Sequence, residues 1–60
     1  MLLNVKDVIE ILDVSQATAY RVIRELNNEL KDKGYLVITG RVEESYLYER
    51  FKLDEMSKVN

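Results

Sequence analysis

A very short junction, Asp13-Val14-Ser15, separates two stretches that each have the apolar periodicity of a helix. Asp13 tolerates the left-handed backbone conformation that a tight turn often needs. Val14 is an apolar residue that can anchor the turn between the helices. Ser15 is a suitable N-cap, because its hydroxyl can accept a hydrogen bond from the backbone N–H of Ala17 or Thr18. The junction therefore predicts a helix-turn-helix.

The limits of these two helices follow from their capping residues. The first is expected to occupy residues 4–12, where Asn4 is the N-cap and Asp7 completes a capping box. The second is expected to run from residue 16 to about residue 33. Gly34 then stands at the position after the cap, where glycine ends many helices. This second helix is long for a helix-turn-helix.

The run Tyr35-Leu36-Val37-Ile38-Thr39 is the one strong strand signal in the sequence. A lone strand is not stable and needs a partner. The favoured partner is Arg41-Val42, which would pair back after a turn at Thr39-Gly40 and form a small wing. Leu2-Leu3 and the same strand of a second subunit are the other candidates, and both can pair in addition to the wing.

A third helix is predicted from Glu43 to about residue 53, because Glu43 and Glu44 look like its acid-rich first turn. Its aromatic residues, Tyr46, Tyr48 and Phe51, are more typical of a core or a dimer contact than of a base-stacking platform. Residues 54–60 have neither a cap nor a clear period, so a frayed tail is expected. The predicted fold over residues 1–60 is one domain, mainly α with a small β element, and winged helix-turn-helix-like.

Composition limits the chemistry that the chain can perform. The chain has 60 residues and contains no cysteine, histidine or proline. It shows no nucleophile–base pair and no glycine-rich phosphate loop, so we expect neither an enzyme nor a bound cofactor or metal. Met1-Leu2-Leu3 is too short for a signal peptide or a membrane span, which predicts a cytoplasmic protein. A domain this small buries only about 60% of its unfolded surface, so a homodimer is predicted as the way to bury more.

The net charge of −2 argues at first against a nucleic-acid partner, but the charges are unevenly distributed. Residues 16–41 carry five basic and three acidic side chains, a net charge of +2. Residues 1–15 carry one basic and three acidic side chains, and residues 42–60 carry three and five, so each flank has −2. Residues 16–24 contain no acid at all. The middle of the chain is therefore a basic segment between acidic ones.

The second helix of a helix-turn-helix enters the major groove and presents its N-terminal residues to the base edges. Glutamine can pair with adenine, alanine can touch a thymine methyl group, and arginine can reach guanine or phosphate. Threonine and tyrosine hydroxyls can bond phosphate oxygens. The alternative is an amphipathic helix with a solvated basic face. The candidate contacts to double-stranded DNA on this helix are Gln16, Ala17, Thr18, Tyr20, Arg21 and Arg24.

Arg41 is a further candidate contact, because a basic residue at a hairpin tip can reach into the adjacent minor groove. It follows Gly40, where the chain is expected to turn. The simpler interpretation, an exposed arginine beside a strand, is the favoured one of the two.

Residues 5–23, VKDVIEILDVSQATAYRVI, resemble the helix-turn-helix of excisionases and of mercury-resistance-type regulators. That pattern has an apolar first helix, a G-V-S turn, and then x-x-T-hydrophobic-Y-R-hydrophobic-I. The runs Lys33-Gly34-Tyr35 and Gly40-Arg41-Val42, followed by a helix, are similar to small excisionase-like proteins of phages and integrative elements. Together the two matches cover most of residues 4–51. Asp13 stands where the family usually has glycine, and Ile9 where it usually has alanine.

The resemblance implies specific binding of duplex DNA. It implies either a transcription regulator or a factor that helps a recombinase or integrase to excise a mobile element. Two other hypotheses come from the residues themselves. The acidic flanks favour a protein-interaction adapter that keeps the fold without binding DNA, and the long second helix with residues 35–39 favours a mainly dimerising role.

Overall fold

Three helices and two short strands follow one another in the described part of the chain. The computed structural model of the protein describes residues 1–53, and the expected frayed tail at residues 54–60 lies outside them. The order is β1 (Leu2–Leu3), α1 (Val5–Leu12), α2 (Gln16–Asp32), β2 (Val42–Glu43) and α3 (Glu44–Arg50). This mainly helical architecture with a small antiparallel sheet confirms the predicted winged helix-turn-helix-like fold.

All five elements contribute side chains to the core. Its largest fully buried side chains are Val8 of α1, Ile23 of α2, Val42 of β2 and Leu47 of α3. Full burial of an aliphatic side chain of this size contributes about 1.5–3 kcal/mol. The other buried apolar residues are Leu3, Ala19, Leu26, Tyr46 and Tyr48. Burial of both tyrosines confirms that they are core residues, whereas Phe51 is 43% exposed.

The capping box predicted for α1 is present in full. Asn4 Oδ1 accepts from the backbone N–H of Asp7 at 2.9 Å, and Asp7 Oδ2 accepts from the backbone N–H of Asn4 at 3.0 Å. The helix ends at Asp13, whose φ of 56° is in the left-handed region. The aspartate therefore adopts the backbone conformation for which glycine is the usual residue. Ile9, in the place of the usual alanine, is half-buried and packs against the core.

The C-terminus of α2 is closed by a Schellman motif. Gly34 has a φ of +94° and its N–H donates to Lys31 O at 2.9 Å. The N–H of Tyr35 donates to Leu30 O, also at 2.9 Å. These two bonds satisfy carbonyls that the helix leaves without a partner. The role predicted for Gly34 is therefore confirmed, and α2 extends over 17 residues.

The predicted strand at residues 35–39 is wrong. These residues form no strand; together with their neighbours they make a loop, residues 33–41, which we call the wing loop. The small sheet instead joins β1 to β2, with Leu2 opposite Glu43 and Leu3 opposite Val42. Val42 thus pairs with Leu3 at the start of the chain and not with residues 35–39. The N–H of Glu44 extends this pairing with a 2.8 Å bond to Met1 O.

Helix α3 is shorter than predicted and is tied to α2 by polar contacts. It ends at Arg50, and Lys52 then has a φ of 56°, which no helix residue adopts. Glu29 of α2 accepts from the hydroxyl of Tyr46 at 2.7 Å and from the guanidinium of Arg50. Lys33 Nζ lies 4.9 Å from the centroid of the Tyr46 ring, a cation–π distance. These contacts attach α3 to the C-terminal half of α2.

Candidate nucleic-acid interface

The turn before α2 orients the first residues of that helix towards solvent. The N–H groups of Asp13 and Val14 both donate to Ile9 O, at 2.8 and 3.4 Å. Val14 is half-buried and packs against the core, as the sequence predicted. Ser15 caps α2 and accepts from the N–H of Thr18 at 3.2 Å. The helix therefore begins with a defined backbone conformation and an exposed N-terminus.

Five of the six candidate contacts on α2 form a continuous exposed surface. Gln16, Tyr20 and Arg24 are spaced four residues apart and form one row along the helix. Ala17 and Arg21 form a second row beside it. All five are exposed, and Tyr20 keeps 49% of its surface accessible. We call these five residues the basic face of α2. The opposite side of the helix packs into the core through Ala19, Ile23 and Leu26.

Thr18 differs from the other candidates because it is half-buried. Its Oγ1 accepts from the Ser15 hydroxyl at 3.1 Å, and its backbone N–H is the donor to the same cap. The Thr18 hydroxyl is therefore already engaged in the cap of α2. Thr18 lies at the margin of the basic face and also stabilises the helix end.

The arginines of this surface form no ion pair inside the described part of the chain. The ion pairs within residues 1–53 join the Met1 ammonium to Glu43 and Arg50 to Glu29. Arg21, Arg24 and Arg41 take part in neither pair. Residues 16–24 contain no acidic side chain. The basic face therefore presents positive charge for an anionic partner.

Glu29, a nearby acid on α2, is turned away from the basic face. Arg50 and Tyr46 hydrogen-bond its carboxylate and lower its pKa from 4.5 to about 2. Arg50 contributes the largest effect and Tyr46 the second. The negative charge of Glu29 is thus matched by a cation on α3. It does not compensate the arginines of the basic face.

The wing loop is attached to α2 by a residue that sequence reasoning missed. Asn27 is 7% exposed, and its Nδ2 donates to Ile38 O at 3.2 Å and to Arg41 O at 2.7 Å. Arg41 itself is exposed. The sequence did contain a signal for this role. Asn27 is a polar residue four positions after the buried Ile23, and a side chain at that spacing lies close to the buried face of α2. The predicted contact Arg41 is therefore held near α2, although not by a β-hairpin.

Two other kinds of feature are absent from residues 1–53. This part of the chain has no group of three or more acidic, cysteine or histidine residues placed to hold a metal ion. No helix within it is both long and apolar enough to cross a membrane.

The helix-turn-helix, the small sheet and the exposed basic helix face together define a protein with a winged helix-turn-helix-like fold. No family model and no solved structure matches the chain. It is similar to a curated protein, the ICEBs1 excisionase of Bacillus subtilis strain 168, with 45% identity over 51 residues. The alignment covers 77% of this chain and 80% of that relative. The chain belongs to the excisionase family.

Proposed function

We propose that this protein binds duplex DNA in a sequence-specific manner and acts as the excision factor of a mobile element, without catalysing strand exchange itself. The observation that carries the proposal is the basic face of α2, which is exposed, free of acids and without ion pairs in residues 1–53. The similarity to an excisionase supports the biological role. The expected partners are double-stranded DNA and a recombinase or integrase, in the cytoplasm.

In this proposal α2 enters the major groove with its N-terminus leading. Gln16 and Ala17 lie in the first turn, where a recognition helix meets base edges. Arg21 and Arg24 follow one and two turns later and can reach guanine or phosphate. Thr18 and Tyr20 flank them with hydroxyl groups for phosphate oxygens. Arg41, on the wing loop, is suited to the adjacent minor groove.

A second copy of the chain is proposed to complete the binding unit. Three large apolar side chains of the wing loop are exposed: Tyr35 by 61%, Leu36 by 100% and Ile38 by 54%. Adjacent exposed apolar side chains of this size are typical of protein contact surfaces. A homodimer would cover them and double the number of DNA contacts, which one small basic face cannot supply alone.

The experiment that tests DNA binding uses a duplex selected from a random-sequence library by the wild-type protein. Fluorescence anisotropy should give a dissociation constant that rises steeply with salt, because each phosphate contact releases counterions. A scrambled duplex of the same composition is the control for specificity and should bind more weakly. No binding to any duplex at low salt would overturn the proposal and favour a protein-interaction adapter.

The excision role has its own test. A plasmid carrying both ends of the element is incubated with the cognate recombinase, with and without this protein. We expect the excised junction to form only when the protein is present. DNA binding without any effect on excision would instead favour a transcription regulator, which can be checked with a reporter driven by promoters of the same element.

A further inference from the structure

The turn that carries Arg41 is closed by its own hydrogen bond and by a side chain of α2. The N–H of Arg41 donates to Ile38 O at 3.0 Å, which closes a four-residue turn. Gly40 has a φ of +81°, the value that the third residue of a type II turn requires. Asn27 Nδ2 then donates to the carbonyls of the first and last residues of this same turn, at 3.2 and 2.7 Å.

The chemistry of Asn27 suits this attachment. Its amide group has two N–H donors, and they meet two carbonyl acceptors that belong to one turn. Asn27 is the one buried polar residue in residues 1–53. An apolar residue of similar size would remove the Asn27 donor from Arg41 O and leave Ile38 O with the Arg41 N–H alone, and a part-buried polar group that loses its partner is costly. The position therefore requires a double donor and not simply a residue that fills space.

The attachment point lies along the same side of α2 as the basic face. Asn27 follows Arg24 by three residues and Tyr20 by seven, and residues with these spacings are neighbours on a helix surface. The backbone of Arg41 is thus held one turn beyond Arg24 on α2. Since Arg41 is exposed and has no ion pair within residues 1–53, its charge extends the basic face beyond the helix.

We propose that Asn27 is a positioning residue for DNA recognition, which holds the Ile38–Arg41 turn on α2 so that Arg41 meets the DNA at a fixed distance from Arg24. The inference rests on the proposed function, because it concerns how the second contact is placed. A loop that is fixed before binding loses less conformational entropy on binding than a free one. Asn27 itself makes no contact with DNA in this arrangement.

The test is a double-mutant cycle measured by anisotropy on the selected duplex. Asn27→Leu removes both donors and keeps a similar volume. We expect Asn27→Leu and Arg41→Ala each to weaken binding by about fivefold or more, and the double variant to bind no more weakly than Arg41→Ala alone. Arg24→Ala should weaken binding by the same factor in the wild-type protein and in the Asn27→Leu variant. The inference would be overturned if Asn27→Leu bound the duplex as tightly as wild type. It would also be overturned if the double variant lost affinity by the product of the two single losses.

A second variant keeps the test valid if Asn27→Leu does not fold. Gly40→Ala opposes the +81° φ of the turn, and a Cβ at this position meets nothing within 4 Å. The variant therefore disturbs the turn through its backbone and leaves α2 unchanged. Gly40→Ala should weaken binding in the wild-type protein but cause no further loss of affinity when Arg41 is already alanine. A further loss in the double variant would contradict the inference. Circular dichroism establishes which variants are folded.

The two proposals fail in different ways. If the wild-type protein binds no duplex, the proposed function fails before the cycle begins. If the wild-type protein binds and Arg24→Ala weakens binding, the function stands. The positioning role of Asn27 is then decided by the cycle alone.

Discussion

Glu29 and Arg50 join α2 to α3 through a bidentate ion pair. Arg50 Nε donates to Glu29 Oε1 at 2.7 Å, and Arg50 Nη2 donates to Glu29 Oε2 at 2.8 Å. The hydroxyl of Tyr46 adds a third donor to the same carboxylate. The pKa of Glu29 is lowered to about 2 by these contacts, so acid should weaken the attachment of α3.

The first prediction concerns the pH dependence of stability. The pKa of Glu29 is lower in the folded than in the unfolded chain, so its contribution is present above about pH 4.5 and is lost as the pH falls towards about 2. Glu29→Gln should lower the thermal midpoint at neutral pH, and the difference from wild type should shrink over this interval. Thermal denaturation followed by circular dichroism measures it.

The control for this prediction is Glu25→Gln, one turn earlier on α2. Glu25 is exposed and has no ion pair within residues 1–53. Its substitution should leave the thermal midpoint nearly unchanged at all pH values. A difference between Glu29→Gln and wild type that does not vary with pH would contradict the role of the ion pair.

The second prediction concerns the basic face. Arg24→Ala should weaken binding to the selected duplex by about 1–3 kcal/mol if the arginine reads a base. If Arg21 contacts phosphate, Arg21→Ala should lower the slope of log affinity against log salt by about one and weaken binding to all sequences alike. Lys52→Ala removes a positive charge beyond α3 and is the charge-matched control. Equal losses for Arg24→Ala and Lys52→Ala would show a general charge effect and exclude specific contact by Arg24.

The third prediction concerns the end of α2. Gly34 has a φ of +94° and an added Cβ would meet nothing within 4 Å, so only backbone strain opposes a side chain there. Gly34→Ala should destabilise the fold by about 1–2 kcal/mol. For a domain of this size, each kcal/mol lowers the thermal midpoint by about 4–8 °C. Asn28→Ala, an exposed change inside the same helix, should leave the thermal midpoint unchanged. An equal loss of stability in both variants would contradict the role of Gly34 in ending α2.

The fourth prediction concerns self-association. Leu36 is fully exposed, so Leu36→Asp should leave the folded monomer intact and abolish the proposed dimer. Thr39→Asp places the same charge on an exposed polar residue of the wing loop and is the matched control. Sedimentation equilibrium should find a dimer for wild type and for the control. A wild-type monomer at high micromolar concentration would rule out the dimer.

The helices could be predicted because their limits are set by neighbouring residues. Asn4 with Asp7, Ser15 with Thr18, and Gly34 each satisfy the backbone groups of a helix end within a few positions. The periodic apolar residues between them then place α1 and α2 correctly. Local signals of this kind do not depend on the rest of the fold.

The sheet and the wing loop could not be predicted in this way. Each strand has two residues, too few for a periodic signal, and Leu3 meets Val42 only through the tertiary fold. The β-branched and aromatic character of residues 35–39 indicated a strand, but strand preference depends strongly on the available partner. In the structure Val42 is already paired with Leu3, and Asn27 draws the neighbouring carbonyls to α2 instead.

The candidate site was predictable where it depends on α2 alone. Helical spacing was sufficient to separate Gln16, Tyr20 and Arg24 from the buried face. The relation of Arg41 to that face depends on one amide group, and its partners lie 11 and 14 residues away. The site residues themselves remain predictions that the binding experiments will test.

The pairing of β1 with β2 also determines when this protein can fold on the ribosome. Leu3 emerges early and Val42 much later, yet the two lie opposite each other in the sheet and are both buried. While the chain is being translated, α1 and α2 have neither Val42 nor Leu47 to cover their apolar faces. Since distant contacts must form before the core is closed, folding is expected to wait until residues 42–47 have left the ribosome and not to proceed helix by helix during synthesis.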